Sequence, residues 1–142
     1  MKDYKLTEEF KNSVRLRAKN CCEYCISQEK FATQKFSIEH ILPISKGGKN
    51  NLDNLALACQ GCNNHKYNKT EGYDQLSDQF VSLYHPRKNN WRDHFRWNNN
   101  YDLIIGLTPM GRVTVTILHL NREGLVNLRQ ILYPIGEHPP LK

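Results

Sequence analysis

Apolar residues recur at helical spacing near the start of the chain. Phe10, Val14 and Ala18 lie four positions apart, so their side chains would share one face of a helix. Thr7 stands just before this pattern, and threonine is a residue type that caps helix starts. The pattern therefore predicts an amphipathic helix that begins after Thr7 and runs toward Asn20.

Two short stretches in the middle of the chain predict β-strands. The first covers Lys35 to Glu39, and the second lies near Leu55 to Ala58. A long loop separates them and contains Pro43 and the pair Gly47-Gly48, which are residues that turn a chain. A short helix is expected after Cys62. This part of the chain thus reads as strand, loop, strand and helix.

The last third of the chain predicts two helices. Thr108 followed by Pro109 is a typical helix start, so a helix is predicted through about Leu118. The apolar residues inside it also alternate as in a strand, but the helix start decides for a helix. A second helix is predicted from about Arg122 to Leu132, with its leucines on one face toward the core.

Four of the five cysteines form two pairs with the same spacing. These are Cys22-x-x-Cys25 and Cys59-x-x-Cys62, and thirty-three residues separate the pairs. Each pair can form a tight turn that aims two thiolates at one point, so the two turns predict a tetrahedral zinc site of four sulfurs. The repeated spacing disfavours ordinary buried thiols or disulfides. Cys21 is left over and is expected to be a structural or free thiol.

The segment between the cysteine pairs is rich in residues that can do chemistry. It contains Glu39-His40, the loop with Pro43 and Gly47-Gly48, and Asn54, and Asn63 follows the second pair. In this order the residues from about Cys22 to Lys69 resemble an HNH endonuclease with a four-cysteine structural zinc site. The resemblance is to the variant with Asn in the third motif position, in bacterial proteins that carry a C-terminal extension.

The resemblance implies a fold and a division of the chain. We expect an α+β protein with a small ββα-metal (His-Me finger) core, zinc knuckles, an N-terminal helix and a mostly helical C-terminal extension. Residues 1–70 would hold the N-terminal helix and the HNH core, with the knuckles at 22–25 and 59–62. Residues 71–142 would pack on this core within the same compact domain, for which 142 residues and a 39% hydrophobic content suffice.

The resemblance also implies the roles of individual residues. His40 would be the general base that activates water, and Asn54 would brace the active-site loop through its amide. Glu39 and Asn63 would hold a catalytic Mg²⁺ or Mn²⁺, because carboxylate and amide oxygens suit hard cations. Family members more often have Asp in the position of Glu39. On a regular strand Glu39 and His40 would point to opposite sides, so this pairing needs a local break.

Each of these residues also has a plain structural interpretation. Glu39 could be a solvated carboxylate at a strand end, Asn54 a turn residue, and Asn63 a helix cap. Three residues are candidate nucleic-acid contacts, namely Lys46, His65 and Lys66.

Basic residues exceed acidic residues, mostly in the first half of the chain. The formal net charge is +6, with twelve Lys or Arg against seven acids in residues 1–70 and eight against seven in residues 71–142. A basic surface favours polyanions through counterion release, so nucleic acid is the expected partner, most of all double-stranded DNA. A solvated basic surface without a partner is the alternative.

The sequence argues against a membrane-spanning or secreted protein. No stretch is long and apolar enough to span a membrane, and Lys2-Asp3-Tyr4-Lys5 does not resemble the start of a signal peptide. Cysteine pairs that bind metal fit a reducing compartment, so a cytoplasmic location is expected. The oligomeric state is left open.

Together these observations predict a metal-dependent endonuclease that hydrolyses DNA phosphodiester bonds, with structural Zn²⁺ and catalytic Mg²⁺ or Mn²⁺. The first alternative is a noncatalytic, zinc-stabilised module that binds nucleic acid. The second is a structural or interaction protein in which zinc only holds a small fold together.

Overall fold

A computed structural model of the protein describes residues 6–140, and it has five α-helices and six short strands in that range. The start of the chain, where no signal peptide was expected, lies outside the described residues. The helices are α1 (Glu8–Arg17), α2 (Gln60–Lys66), α3 (Trp91–His94), α4 (Pro109–Leu118) and α5 (Glu123–Leu132). The strands are β1 (Ser37–His40), β2 (Leu55–Ala58), β3 (Glu71–Asp74), β4 (Gln79–Ser82), β5 (Phe95–Trp97) and β6 (Ile104–Gly106). They form three separate antiparallel pairs.

Helix α1 begins where its sequence predicts. The Thr7 side chain accepts a hydrogen bond from the Phe10 backbone N–H at 3.2 Å, which satisfies one of the free donors at the helix start. Val14 is fully buried against the core. The basic side of the helix is anchored to the protein, since Arg15 pairs with Glu29 at 3.2 Å. Arg17 donates to the backbone carbonyl of Leu55 at 2.6 Å and so ties α1 to β2.

Strands β1 and β2 and helix α2 form the expected strand, loop, strand and helix series. The strands pair antiparallel with Ser37 opposite Ala58 and His40 opposite Leu55. Every residue of β2 is buried. Helix α2 starts earlier than predicted, because the Cys59 sulfur accepts a hydrogen bond from the Cys62 N–H and caps the helix.

Helices α4 and α5 confirm the two predicted C-terminal helices. The Thr108 side chain caps α4 by accepting from the Gly111 N–H at 3.0 Å. The alternating apolar residues of α4 are therefore helical, as the cap indicated. Neither hairpin of the extension, β3–β4 or β5–β6, was predicted, because their short strands, unlike β1 and β2, lie outside the motif that the sequence analysis recognised.

One hydrophobic core joins the two halves of the chain. It combines Val14 and Leu57 from the first half with Phe95, Ile104 and Leu118 from the second. A polar link crosses the same boundary, where the Trp91 indole N–H donates to the Tyr24 carbonyl at 2.9 Å. None of the helices within residues 6–140 meets the length and hydropathy that crossing a bilayer requires.

The close approach of α4 to the β5–β6 hairpin gives a stability test. A Cβ atom on Gly111 would lie 2.0 Å from the backbone oxygen of His94, whereas a Cβ on Gly124 meets nothing within 4 Å. We expect Gly111→Ala to lower the free energy of unfolding by about 1–3 kcal/mol through overpacking. Gly124→Ala should raise it by about 0.4–1 kcal/mol, because Gly124 is a helical glycine. Urea denaturation measures both, and equal effects of the two substitutions would contradict the close packing.

Candidate metal centre and active site

The four paired cysteines meet at one buried point. All four sulfur atoms lie within 4.8 Å of one another, and all four residues are buried. The sulfurs of Cys25 and Cys59 are 3.6 Å apart. Four sulfurs at ~2.3 Å from a tetrahedral zinc ion would be separated by about 3.8 Å, so the spacing fits a zinc ion at the centre. The structure thus assembles the predicted Cys22, Cys25, Cys59 and Cys62 site.

The backbone turns at each pair support the site. The N–H of Cys25 points at the Cys22 sulfur, and the N–H of Cys62 at the Cys59 sulfur, each at 3.5 Å. Burial raises the pKa of the Cys22 thiol, and hydrogen bonds from the other cysteines raise it further. Four thiolates in so small a buried volume require a cation among them. Zn²⁺ fits this requirement.

Cys21 stands apart from the zinc site, although it is the direct neighbour of a zinc ligand. Its sulfur donates to the backbone carbonyl of Lys19 at 3.5 Å, and its backbone forms an isolated bridge with Gln28. No disulfide involves it. Cys21 is therefore a buried thiol outside the zinc site.

Arg122 completes the zinc site from the C-terminal extension, and the motif analysis did not find it. Its guanidinium donates to the sulfur of Cys59 at 3.2 Å and of Cys62 at 3.5 Å. Four thiolates around Zn²⁺ leave a net charge of −2, so a cation on two of the sulfurs is favourable. Gly61 makes room, since a Cβ there would lie 2.3 Å from the guanidinium. In the sequence, Gly61 is the one sign that another side chain packs closely against the second cysteine pair.

His40 lies at the end of β1, where the chain enters the long loop. The ring is half-buried, and its Nε2 hydrogen bonds with the side-chain oxygen of Asn50. Because an amide oxygen can only accept, this contact requires the tautomer with the proton on Nε2, in which Nδ1 keeps its lone pair. His40 therefore offers Nδ1 as a proton acceptor.

Asn54 binds the loop that follows β1. Its amide oxygen accepts from the Leu42 N–H at 2.8 Å, and its NH₂ donates to the carbonyls of Leu42 and Lys49, each at 3.0 Å. Gly48 lets the loop close this tightly, since a Cβ there would lie 1.7 Å from the Leu42 oxygen. Asn54 thus fixes the loop that carries Lys46 and Asn50. Its contribution to catalysis stays a prediction.

Glu39 differs from its expected place. The strand is regular, so Glu39 and His40 alternate in direction and meet different partners. One carboxylate oxygen of Glu39 lies 3.1 Å from the Lys66 ammonium, and the other accepts from the Tyr24 hydroxyl at 2.8 Å. Burial raises the pKa of the Glu39 carboxyl, and Lys66 and Tyr24 oppose this effect.

The surroundings of Glu39 do not fit the expected catalytic ion. Only 6% of the residue is exposed, and both carboxylate oxygens already have partners. Mg²⁺ needs near-octahedral coordination and usually keeps several waters, which this enclosed carboxylate does not admit. Asn63 lies one turn before Lys66 on α2 and is half-buried, and Cys59 rather than Asn63 caps that helix. In this arrangement Glu39 is engaged by Lys66 and Tyr24, and the expected Glu39 and Asn63 ion site stays a prediction.

The three predicted nucleic-acid contacts have different surroundings. Lys46 is exposed on the loop after His40. His65 packs against His119 with tilted rings, whose centroids are 4.2 Å apart. Lys66 corrects the prediction, because it is only 2% exposed and its ammonium also donates to the Ile41 carbonyl at 2.9 Å. A buried carboxylate needs a partner, and Lys66 serves Glu39 instead of a phosphate.

Comparison with known proteins supports the nuclease interpretation of this segment. Residues 22–69 match the family model described as HNH endonuclease. The match covers about a third of the chain and includes both cysteine pairs, His40, Asn54 and Asn63. No curated protein and no solved structure matches the chain.

The zinc site predicts opposite results for two neighbouring cysteines. Cys22→Ser removes one of the four ligands, so we expect loss of bound zinc and a loss of stability large enough to unfold much of the protein. Cys21→Ser should keep one zinc per chain and a similar melting temperature, because Cys21 is outside the site. Metal analysis of dialysed protein and thermal melting give the two readouts. Zinc retained by Cys22→Ser, or lost by Cys21→Ser, would contradict this ligand set.

Arg122 predicts a graded effect on the same ion. Arg122→Gln removes the charge that faces two sulfurs, so zinc affinity should fall by roughly 10–100-fold, as for other groups that support metal ligands. Competition with a chromophoric chelator measures the affinity. Arg96→Gln is the matched control, because Arg96 is exposed and donates only to the neighbouring Trp97 carbonyl. Equal affinities of the two variants would remove Arg122 from the zinc site.

Proposed function

We propose that the protein is an endonuclease that hydrolyses DNA phosphodiester bonds, with His40 as the general base. The observation that carries the proposal is the placement of His40. Within a segment that matches the HNH endonuclease family, its half-buried ring hydrogen bonds through Nε2 to Asn50, which gives Nδ1 the lone pair that accepts a proton. A water molecule at Nδ1 would lose its proton as it attacks phosphorus.

The loop after β1 supports the substrate side of the proposal. Asn54 holds this loop by three hydrogen bonds, and Lys46 and Lys49 on it are exposed. Ammonium groups beside the base attract the phosphate backbone and offset charge on the reacting phosphate. The net charge of +6 adds a general attraction to nucleic acid. Double-stranded DNA is the proposed substrate.

The proposal includes a divalent ion, for which Mg²⁺ and Mn²⁺ are the candidates. This part rests on the matched family, whose members generally use such an ion. In the chain itself the Glu39 carboxylate is occupied by Lys66 and Tyr24. We therefore assign to His40 the proton transfer and assign no step to Glu39.

The pairing of Glu39 with Lys66 and Tyr24 favours the noncatalytic alternative. A buried Glu39 paired with Lys66 stabilises the β1–α2 interface without any part in a reaction. The protein would then be a zinc-stabilised module that binds nucleic acid through its basic loop. The two functions differ in whether a bound strand is cut.

His40→Ala tests the nuclease. In a plasmid-nicking assay with Mg²⁺ or Mn²⁺, the wild-type protein should convert supercoiled DNA to the nicked form. The substitution should lower the rate by about 10²–10⁴-fold, because it removes the proton acceptor. Zinc content and DNA affinity should stay unchanged, since the His40 imidazole is not a zinc ligand and is proposed to act on water.

Two outcomes would decide against the proposal. Unchanged cleavage by His40→Ala would remove His40 from the mechanism. DNA binding by the wild-type protein without cleavage under any divalent ion would favour the noncatalytic module.

A further inference from the structure

A cavity lies where the HNH segment meets the C-terminal extension. Its volume is about 330 Å³, at the lower end of the range of small-molecule pockets. Ile41 and Leu42, the two residues after His40, form one side together with Lys66. Residues 82–85, 88 and 89 of the extension form the other side, with Thr70 and Met110. The cavity therefore lies beside the segment that follows β1, on the side where Lys66 packs.

The walls of the cavity combine apolar surface with hydrogen-bond donors. Leu42, Leu83 and Met110 supply the apolar surface. His85, Lys88 and Asn89 supply polar side chains, whereas the charge of Lys66 is paired with Glu39. The lining includes no Asp or Glu. Such a cavity favours a ligand that is partly flat and apolar and partly anionic.

The hydrogen bonds around His85 determine which of its ring nitrogens can donate to a ligand. Its Nδ1 accepts from the Arg87 N–H at 3.1 Å, so Nε2 carries a proton. Burial lowers the pKa of His85, and the charges of Lys88 and Arg87 lower it further. The ring at neutral pH is therefore a neutral donor through Nε2.

Asn89 is oriented in a similar way. Its amide oxygen accepts from the His85 N–H at 3.0 Å. The NH₂ group makes no side-chain hydrogen bond within residues 6–140, so it remains a donor. The exposed Lys88 ammonium between these two residues is a third donor. Three donors without an acceptor suit phosphate oxygens.

We propose that this cavity binds one unpaired nucleotide of the DNA substrate. Its phosphate would bind to His85, Lys88 and Asn89, and its base or sugar would pack on Leu42, Leu83 and Met110. A paired base cannot enter a cavity of this size with its partner, so the nucleotide must be unstacked and turned out of the duplex. The inference rests on the proposed function in taking nucleic acid as the substrate. It assigns the extension a role in recognising a structural defect in DNA.

Binding of two DNA duplexes tests the inference. Both have the same sequence, but one carries a single unpaired thymidine in one strand. His40→Ala is the parent protein, so that no strand is cut, and fluorescence anisotropy at one fixed salt concentration measures the affinities. We expect the parent to bind the duplex with the unpaired thymidine about 10-fold more tightly, which corresponds to about 1.4 kcal/mol.

Adding Lys88→Ala or His85→Ala to the parent should reduce this preference to below about 2-fold, because each removes a phosphate donor. Lys30→Ala is the matched control for the loss of one charge. Lys30 is exposed and pairs with Glu137 away from the cavity, so its removal should weaken both duplexes equally and keep the preference. Zinc content and melting temperature of each variant show that the fold is intact.

Two results would overturn the inference. One is equal affinity of the parent protein for both duplexes. The other is a preference that persists after both cavity substitutions. Plasmid nicking by the wild-type protein is measured separately. Cleavage without a preference for the unpaired thymidine would reject only the proposed nucleotide site. A preference without cleavage would reject only the proposed nuclease activity.

Discussion

The four buried sulfurs impose the constraint on which the rest of the structure depends. Cys22 and Cys25 follow α1, and Cys59 and Cys62 open α2, so a shared zinc ion would tie the segments before β1 and after β2 together. Arg122 of the extension donates to two of the sulfurs and offsets the net negative charge of four thiolates and one zinc ion. One ion at this point would organise the HNH segment and fix where the extension attaches.

Hydrogen bonds and an ion pair then determine which side chains of β1 are available for catalysis. Glu39 is engaged by Lys66 and Tyr24 on one side, which holds β1 against α2. His40 follows it and meets Asn50 in the loop. Because consecutive strand residues alternate, a carboxylate used for packing and an imidazole exposed to the loop can stand next to each other in sequence. The proposed catalysis therefore depends on the loop more than on the strand.

Local signals predicted the elements that have strong local causes. The caps at Thr7 and Thr108 started α1 and α4 as expected, since a cap acts within three residues. Strand β2 has the predicted bounds, whereas β1 begins two residues later and ends one residue later than predicted. The two hairpins of the extension were missed, because pairing of strands as short as Phe95–Trp97 is decided by the surface they pack on.

The zinc ligands are the part of the site that the sequence alone determined. Two pairs with one spacing leave little freedom in how four thiolates meet, and the structure brings them together. The sequence also identified His40 and Asn54 as candidates through the order of the motif. Only the tertiary structure decided the partners of Glu39 and Lys66, the contact of Arg122 with the sulfurs, and the cavity at His85. These depend on which elements pack against each other, and side chains far apart in sequence carry no local mark of the neighbour they will meet.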